Sequence, residues 1–305
     1  MELEDVKCCF CNSDSSKLFD QVGSWKVKEC YCGHIYTSPR PKMEFLARLY
    51  DEEYYGNNDR FNGEFSKGKV GKSDSDFYKN IQDVESWVEQ RGSLLEIGCA
   101  KGDFLKAMSN RGWKVVGVDI SEESIGRGLK ENELDLRCGT IETVEFSKKF
   151  DAIVMYQCLE HMPNAKLALD RSYELLNKDG VLVIEVPNLK SFDFKISKKR
   201  RFWSYDLPYH LSHFTPSFLS QELKKRNFTI LEIDLYYPNF ILSLLKGVNK
   251  MKGSKEVSEP IQRTSNSELK KSIKLSKKNN GIKIKMLNFI SKFFPGWRFT
   301  IIAKK

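Results

Sequence analysis

The sequence predicts an α/β fold: a doubly wound, mostly parallel sheet preceded by a small cysteine-rich module. Three observations carry this. From Ser93 onward, short apolar runs rich in β-branched residues alternate with segments of helix length. The first of these runs leads directly into a glycine-bearing turn. Finally, five of the eight cysteines, Cys8, Cys9, Cys11, Cys30 and Cys32, lie within the first 32 residues.

The elements follow in order. Residues 1–41 are cysteine-rich and lack helical periodicity, which marks them as a module of their own. Residues 42–92 form a helical cover interrupted by a polar, Gly-rich stretch at 56–75. Within it Phe77, Ile81, Val84 and Val88 recur at three- and four-residue steps, the stripe of an amphipathic helix. Residues 93–305 carry the alternating pattern. Runs at 94–97, 115–118, 152–155 and 181–186 read as strands buried on both faces of a parallel sheet. Helices are expected at 104–111, 121–131 and 163–177, with Pro163 in the first turn, where its missing N–H is harmless. Asn177-Lys178-Asp179-Gly180 supplies a stop and a turn. An aromatic and basic segment, 187–216, interrupts the alternation. A helix at 217–226, a strand at 228–236, a basic insert at 246–295 and a last strand at 298–303 complete the chain. Repeated β–α units of this kind place ligands at the carboxyl ends of the strands.

Charge and cysteine usage narrow the classes. The chain has 305 residues and a net charge of +9. Residues 246–285 hold twelve Lys/Arg and three Asp/Glu, an excess that equals the charge of the whole chain. The remainder is neutral, unlike the broad basic face of a nucleic-acid binder. No run approaches the roughly 18 apolar residues of a membrane span. The acidic start, Met1-Glu2-Leu3-Glu4-Asp5, has no apolar core of a secretory signal, so a cytoplasmic protein is expected. In a reducing compartment, clustered cysteines point to metal more than to disulfides. Cys99, Cys138 and Cys158 sit singly in apolar stretches and read as small buried hydrophobes.

The turn after the first long-sheet strand reads Glu96-Ile97-Gly98-Cys99-Ala100-Lys101-Gly102. Gly98 and Gly102 permit a tight turn, and the helix that follows presents N–H groups at its start. Dinucleotide folds share that feature, but their spelling is G-x-G-x-x-G. A carboxylate at Glu96 would repel a pyrophosphate, yet it suits a ligand bearing ammonium and sulfonium charge, as a methyl donor does. Asp119 ends the next strand, 23 residues on, where an acid can accept both hydroxyls of a ribose. Ser121, with Ser124 nearby, fills the competing role of helix cap.

These stretches resemble the class I S-adenosylmethionine (SAM)-dependent methyltransferases, and within them a branch with an N-terminal zinc module found in sugar and secondary-metabolite pathways. The resemblance rests on residues 94–105 (LLEIGCAKGDFL), 117–121 (GVDIS), 150–163 (FDAIVMYQCLEHMP), 186–188 (VPN) and 210–216 (HLSHFTP). It implies a seven-stranded Rossmann-like sheet. It also implies that Glu96, Gly98, Cys99, Ala100 and Gly102 hold the methionine part of SAM, and Asp119 and Ile120 the ribose and adenine. Thr140 and Ile141 would border the adenine edge, although many relatives carry an acid at the position of Thr140. Tyr156 and Gln157 would lie beside the methyl-bearing sulfur.

Cys8-x-x-Cys11 and Cys30-x-Cys32 offer four thiolates for a closed structural zinc site. The second knuckle is one residue short of the usual spacing, which leaves Cys9 or His34 as substitute ligands. Methyl transfer to a hydroxyl needs a base, and His161, His210 and His213 all fall in acceptor-side segments. His210 and His213 stand in an aromatic run with Trp203, Tyr205, Tyr209 and Phe214, which suits a sugar-binding wall. Residues 198–201 (KKRR) would suit a phosphate-bearing acceptor such as a nucleotide-linked sugar. Apolar and Lys residues interleave at 282–294, as in a lid helix or a surface helix drawn to anionic lipid. The expected activity is O-methylation of a small molecule. A nucleic-acid (RNA) methyltransferase and a non-catalytic scaffold are the rival functions. Tyr156-Gln157-Cys158-Leu159 lacks the Asn/Asp-Pro-Pro-aromatic signature of adenine amino-methylation, and the intact Glu96 and Asp119 speak against a scaffold.

Overall fold

The computed structural model describes residues 2–42, 45, 77–191, 194, 206–235 and 296–305. The polar stretch 56–75, the basic run 198–201, Trp203, Tyr205 and the insert 246–295 lie outside the described residues, so the readings placed on them stand as expectations.

In the cysteine module, β1 (Leu3–Glu4) pairs with β5 (Arg40–Pro41), while β2 (Ser16–Val22), β3 (Trp25–Cys30) and β4 (Ile35–Thr37) form an antiparallel meander. Helix α1 (Tyr78–Glu85) follows. The main sheet then develops through β6 (Ser93–Ile97), α2 (Asp103–Asn110), β7 (Lys114–Asp119), α3 (Glu122–Glu131), β8 (Asp135–Cys138), β9 (Phe150–Tyr156), α4 (Ala165–Leu175) and β10 (Leu176–Pro187). A two-residue strand β11 (Ser212–His213), α5 (Pro216–Lys225), β12 (Thr229–Leu235) and β13 (Arg298–Lys304) complete it. The sheet order is β12-β13-β10-β9-β6-β7-β8, seven strands, with β13 antiparallel to both neighbours and the other pairings parallel.

Alternation along the strands divides the core into two layers. Leu95, Ile153 and Ile184 face α4 and α5, which contribute Leu169, Phe218 and Leu223. Leu94, Val154 and Val183 face the other way, onto Ile81, Val84, Phe104, Met108 and Ile125 of α1, α2 and α3. A strand buried on both faces must be apolar at successive positions, which is why these runs were legible as parallel strands. The predicted stripe on α1 holds at Ile81 and Val84, both buried, with Phe77 and Val88 packed against the same layer.

Four local expectations change. Pro163 lies outside α4: Asn164 is the cap, its side chain accepting from Leu167 N at 3.1 Å, and the Pro163 carbonyl instead accepts from Arg40 Nη1 at 2.9 Å. The turn at 177–180 is accommodated within the span of β10 as a register shift between Leu176 and Val181, with Asp179 at φ 66°. Cys138 is exposed at the end of edge strand β8 and is no buried hydrophobe, whereas Cys99 is buried. The cysteine module is not closed by its own residues. β11 adds to β4, so the four-stranded order is β11-β4-β3-β2 and its last strand comes from the HLSHF segment.

Candidate functional site

The turn between β6 and α2 is shaped by backbone requirements. Gly98 and Gly102 have φ +77° and +82°, a region where a side chain is strained. At Gly98 space is also closed: a Cβ there would lie 2.4 Å from Cys158 Sγ. Ala100, at φ 47°, tolerates the left-handed conformation within the turn. The N–H groups of Gly98 and Cys99 both donate to the Val118 carbonyl, and Ala100 N–H donates to Asp119 Oδ2 at 2.8 Å. Asp119 Oδ1 accepts from Ser121 N–H at 2.9 Å. Thus Asp119 welds the first turn to the second. Ser121 caps α3, as its spacing implied, accepting from Ser124 N–H at 3.1 Å.

Glu96 lies one residue from the carboxyl end of β6, near Asp119. It is buried, and its Oε2 has no hydrogen-bond partner. Burial first, and then the charges of Asp119 and Asp103, hold its carboxyl well above the usual carboxylate range. A buried carboxylate of this kind is costly unless a cationic group pairs with it. Ile120 is half-buried, and Ile141 lies in the main core. Thr140 Oγ1 accepts from the N–H groups of Glu142 and Thr143 at 3.3 Å, capping a turn at that edge. At the end of β9, Tyr156 OH donates to the Asn80 carbonyl at 3.1 Å, tying the strand to α1. Gln157, at φ 52°, reaches Glu185 Oε1 from Nε2 at 3.3 Å. Glu185 in turn receives Arg298 Nη1 at 3.0 Å, a buried ion pair beneath the site that the sequence did not disclose.

The three candidate base residues come together. The rings of His161 and His210 are 4.7 Å apart, edge to face, and those of His210 and His213 are 6.5 Å apart. His161 Nδ1 lies 3.1 Å from the Tyr209 carbonyl oxygen. A carbonyl only accepts, so Nδ1 carries the hydrogen and Nε2 of the neutral ring has none. Burial lowers the His161 pKa to about 4, against the opposing pull of the Tyr209 carbonyl. Thr37 Oγ1 donates to the His210 carbonyl at 2.9 Å and therefore accepts from His213 Nε2, 3.0 Å away. His213 is buried, and burial lowers its pKa to about 3. A small cavity lined by Pro187, Leu189, His210, Ser212, His213 and Phe214 adjoins them.

Glu160, which directly precedes a candidate base, is a site residue that sequence pattern alone does not single out. Its carboxyl is 1% exposed, and neither oxygen hydrogen-bonds another residue. Burial, with the charges of Glu185 and Asp206 adding to it, holds the Glu160 carboxyl well above its ordinary range.

The thiols of Cys8, Cys11, Cys30 and Cys32 converge, their sulfur atoms all within 4.8 Å of one another. The one-residue second knuckle therefore reaches the cluster without Cys9, which packs toward the main core. His34 stands beside it, Nδ1 3.4 Å from Cys8 Sγ and Nε2 3.1 Å from Ser212 Oγ. Burial, and then the neighbouring His213, lower the His34 pKa to about 3. Burial also pushes the Cys32 thiol up to about 11.

A seven-stranded α/β sheet with a glycine turn after its first strand in chain order, and carboxylates at the carboxyl ends of two adjacent strands, defines a domain for a nucleoside-bearing cofactor. A family model described as a methyltransferase domain matches residues 74–233, and the chain belongs to that family. Over 110 residues it is 34% identical to the ubiquinone biosynthesis O-methyltransferase of Pelagibacter ubique (strain HTCC1062), covering 34% of this chain and 46% of that enzyme. The enzyme of the same name from Nitrobacter winogradskyi (strain ATCC 25391 / DSM 10237 / CIP 104748 / NCIMB 11846 / Nb-255) is 32% identical over 106 residues, covering 32% of this chain and 41% of that one. The chain thus matches less than half the length of these relatives. Among solved structures, a SAM-dependent methyltransferase from Archaeoglobus fulgidus shares the fold, with a TM-score of 0.50 and 23% identity over 76% of this chain and 92% of that one. No described helix is long and apolar enough to cross a membrane.

Proposed function

We propose that the chain transfers the methyl group of SAM to an oxygen of a small-molecule acceptor, a sugar or a related metabolite. The observation that carries this is Glu96, a buried carboxylate with an unpartnered oxygen at the carboxyl end of β6, beside Asp119. Glu96 would pair with the cationic methionine part of SAM, and Asp119 with its ribose hydroxyls, as the carboxylate positions of this fold suggest. Bound there, SAM supplies an electrophilic methyl group on a sulfonium. The chain's own work is to align the acceptor and to draw off its proton at Glu160, His161 and His210. His161 Nε2, which carries no hydrogen, is the basic atom best disposed for it. His213, turned onto Thr37, would hold the loop. The name shared by the O-methyltransferase relatives supports oxygen as the target.

On this reading Cys8, Cys11, Cys30 and Cys32 hold one structural zinc ion, whose module anchors the acceptor loop through β11. Metal analysis of protein purified without added zinc is expected to find about one equivalent, and Cys30→Ser/Cys32→Ser to lose it. The central experiment is calorimetry with SAM. It is followed by transfer of a radiolabelled methyl group to nucleotide-linked sugars, to hydroxylated metabolites and, as the rival class, to RNA. Binding of SAM with label on a small molecule is the expected result. Absence of SAM binding overturns the proposal, and label on RNA alone overturns the acceptor class.

A further inference from the structure

We propose that Glu160, His161 and His210 bind a first-row divalent cation, making the acceptor pocket a metal site separate from the cysteine cluster. Its part in methyl transfer rests on the function proposed above; the binding itself does not.

Three observations support the site. The ligand atoms of Glu160, His161 and His210 all lie within 4.8 Å of one another, so a small inward shift closes them on one ion. Glu160 is 1% exposed, and neither of its oxygens hydrogen-bonds another residue. An acid so deeply buried is expected to meet a donor or a cation. Third, an imidazole nitrogen faces it. His161 gives its Nδ1 hydrogen to the Tyr209 carbonyl, and its Nε2 stands 3.9 Å from Glu160 Oε1. A proton or a metal ion held between the two groups satisfies both.

The surroundings suit a metal ion. The Tyr209 carbonyl fixes the His161 tautomer, the outer contact that ligating imidazoles ordinarily have. Asp206, 4.0 Å from His210 Nε2, and Glu185 add negative potential around Glu160. Two imidazoles and one carboxylate match a first-row transition ion better than magnesium, and they leave coordination positions open. An acceptor hydroxyl bound at one of those positions would ionise more readily, relieving His161 of proton removal.

The test uses the full chain with its cysteine cluster loaded with zinc. It is titrated with Mn²⁺ alone, free Mn²⁺ being read by electron paramagnetic resonance, while SAM binding is measured in parallel. One equivalent of Mn²⁺ is expected. Glu160→Gln and His210→Gln should each weaken it by roughly 10–100-fold or more, since loss of even an outer partner has that effect. Retained SAM affinity identifies a folded variant. In the unsubstituted chain, Mn²⁺ should also broaden the imidazole resonances of His161 and His210, a readout that needs no variant. A chain that binds SAM but no Mn²⁺ overturns the metal site and leaves the methyltransferase reading standing. Broadening confined to other residues, or binding unchanged in folded variants, overturns it as well.

Discussion

On the proposed function, replacing Glu96 by Gln separates cofactor binding from the stability of the fold. The amide keeps the shape of the side chain and removes its charge. The loss of a charge-assisted hydrogen bond to the cofactor is worth about 1.5–3 kcal/mol, or about 10- to 100-fold in dissociation constant. Stability should respond in the opposite sense. The folded-state pKa of Glu96 is raised, by burial and then by Asp119 and Asp103, so the folded chain retains a proton that the unfolded chain releases. Its contribution is full below the unfolded pKa of about 4.5 and is lost as pH rises through the folded value. The Gln variant escapes that loss, so without cofactor it should melt no lower than the parent near neutral pH, and the comparison should favour it further as pH rises. Binding reverses the pressure on the carboxyl: a cationic ligand favours its ionised form, so SAM should expel a proton from the parent. Calorimetry in buffers of different ionisation enthalpy reads that proton directly. A dissociation constant unchanged by Glu96→Gln, with buffer-independent heats in the parent, would refute the reasoning. Asp119→Ala is a less clean probe, because it also strips acceptors from Ala100 N–H and Ser121 N–H.

The remaining predictions concern the turn and the histidine loop. Gly98→Ala should destabilise by about 1–3 kcal/mol through positive φ and overpacking. Cys158→Ala in that background should restore only part of the loss, since its Cβ would still lie 2.9 Å from the new methyl group; thermal melts of both variants check this. Thr37→Val leaves the His210 carbonyl and His213 Nε2 without their hydroxyl partner, an expected loss of about 1–3 kcal/mol that Thr37→Ser recovers in denaturant titration. His213 has a folded pKa lowered to about 3, so the unfolded chain takes up a proton first as pH falls. Stability should therefore decline from about pH 6.5 downward, and His213→Gln should flatten that limb in melts recorded across pH.

What could be read in the sequence was local. Glu96, Gly98, Gly102 and Asp119 fall at the ends of two short apolar runs, and strand-then-turn spacing is enough to bring them together. The same holds for Cys8 with Cys11 and Cys30 with Cys32, each pair lying within a single knuckle. Contacts made across the chain were not readable. Nothing near Thr37 signals that its hydroxyl will meet His213, 176 residues away. The Glu185–Arg298 pair joins residues 113 apart, and in the sequence each is a charge beside an apolar run with nothing to name its partner. Glu160 was within reach, since an acid adjoining a candidate base invites the question of what neutralises it. Cys138 misled because cysteine as a residue type suggests burial, while its strand lies at the sheet edge.

The borrowed strand in the cysteine module bears on how the chain acquires its structure. β2, β3 and β4 are made early in synthesis, but the edge of β4 waits for Ser212 and His213. Until then it is an open edge, the kind of surface on which strands of other molecules can add. Closing a loop of that length carries an entropic penalty that rises only slowly with length, but the ordering it requires makes such pairings slow to form. Docking of β11 onto β4 should accordingly be among the last folding steps. Protection of the Thr37 amide, whose N–H donates to Leu211 O, would then appear after that of the β6–β9 ladder in pulse-labelled hydrogen exchange. A methyltransferase domain that had formed its cofactor turn would at that stage still lack an ordered acceptor pocket.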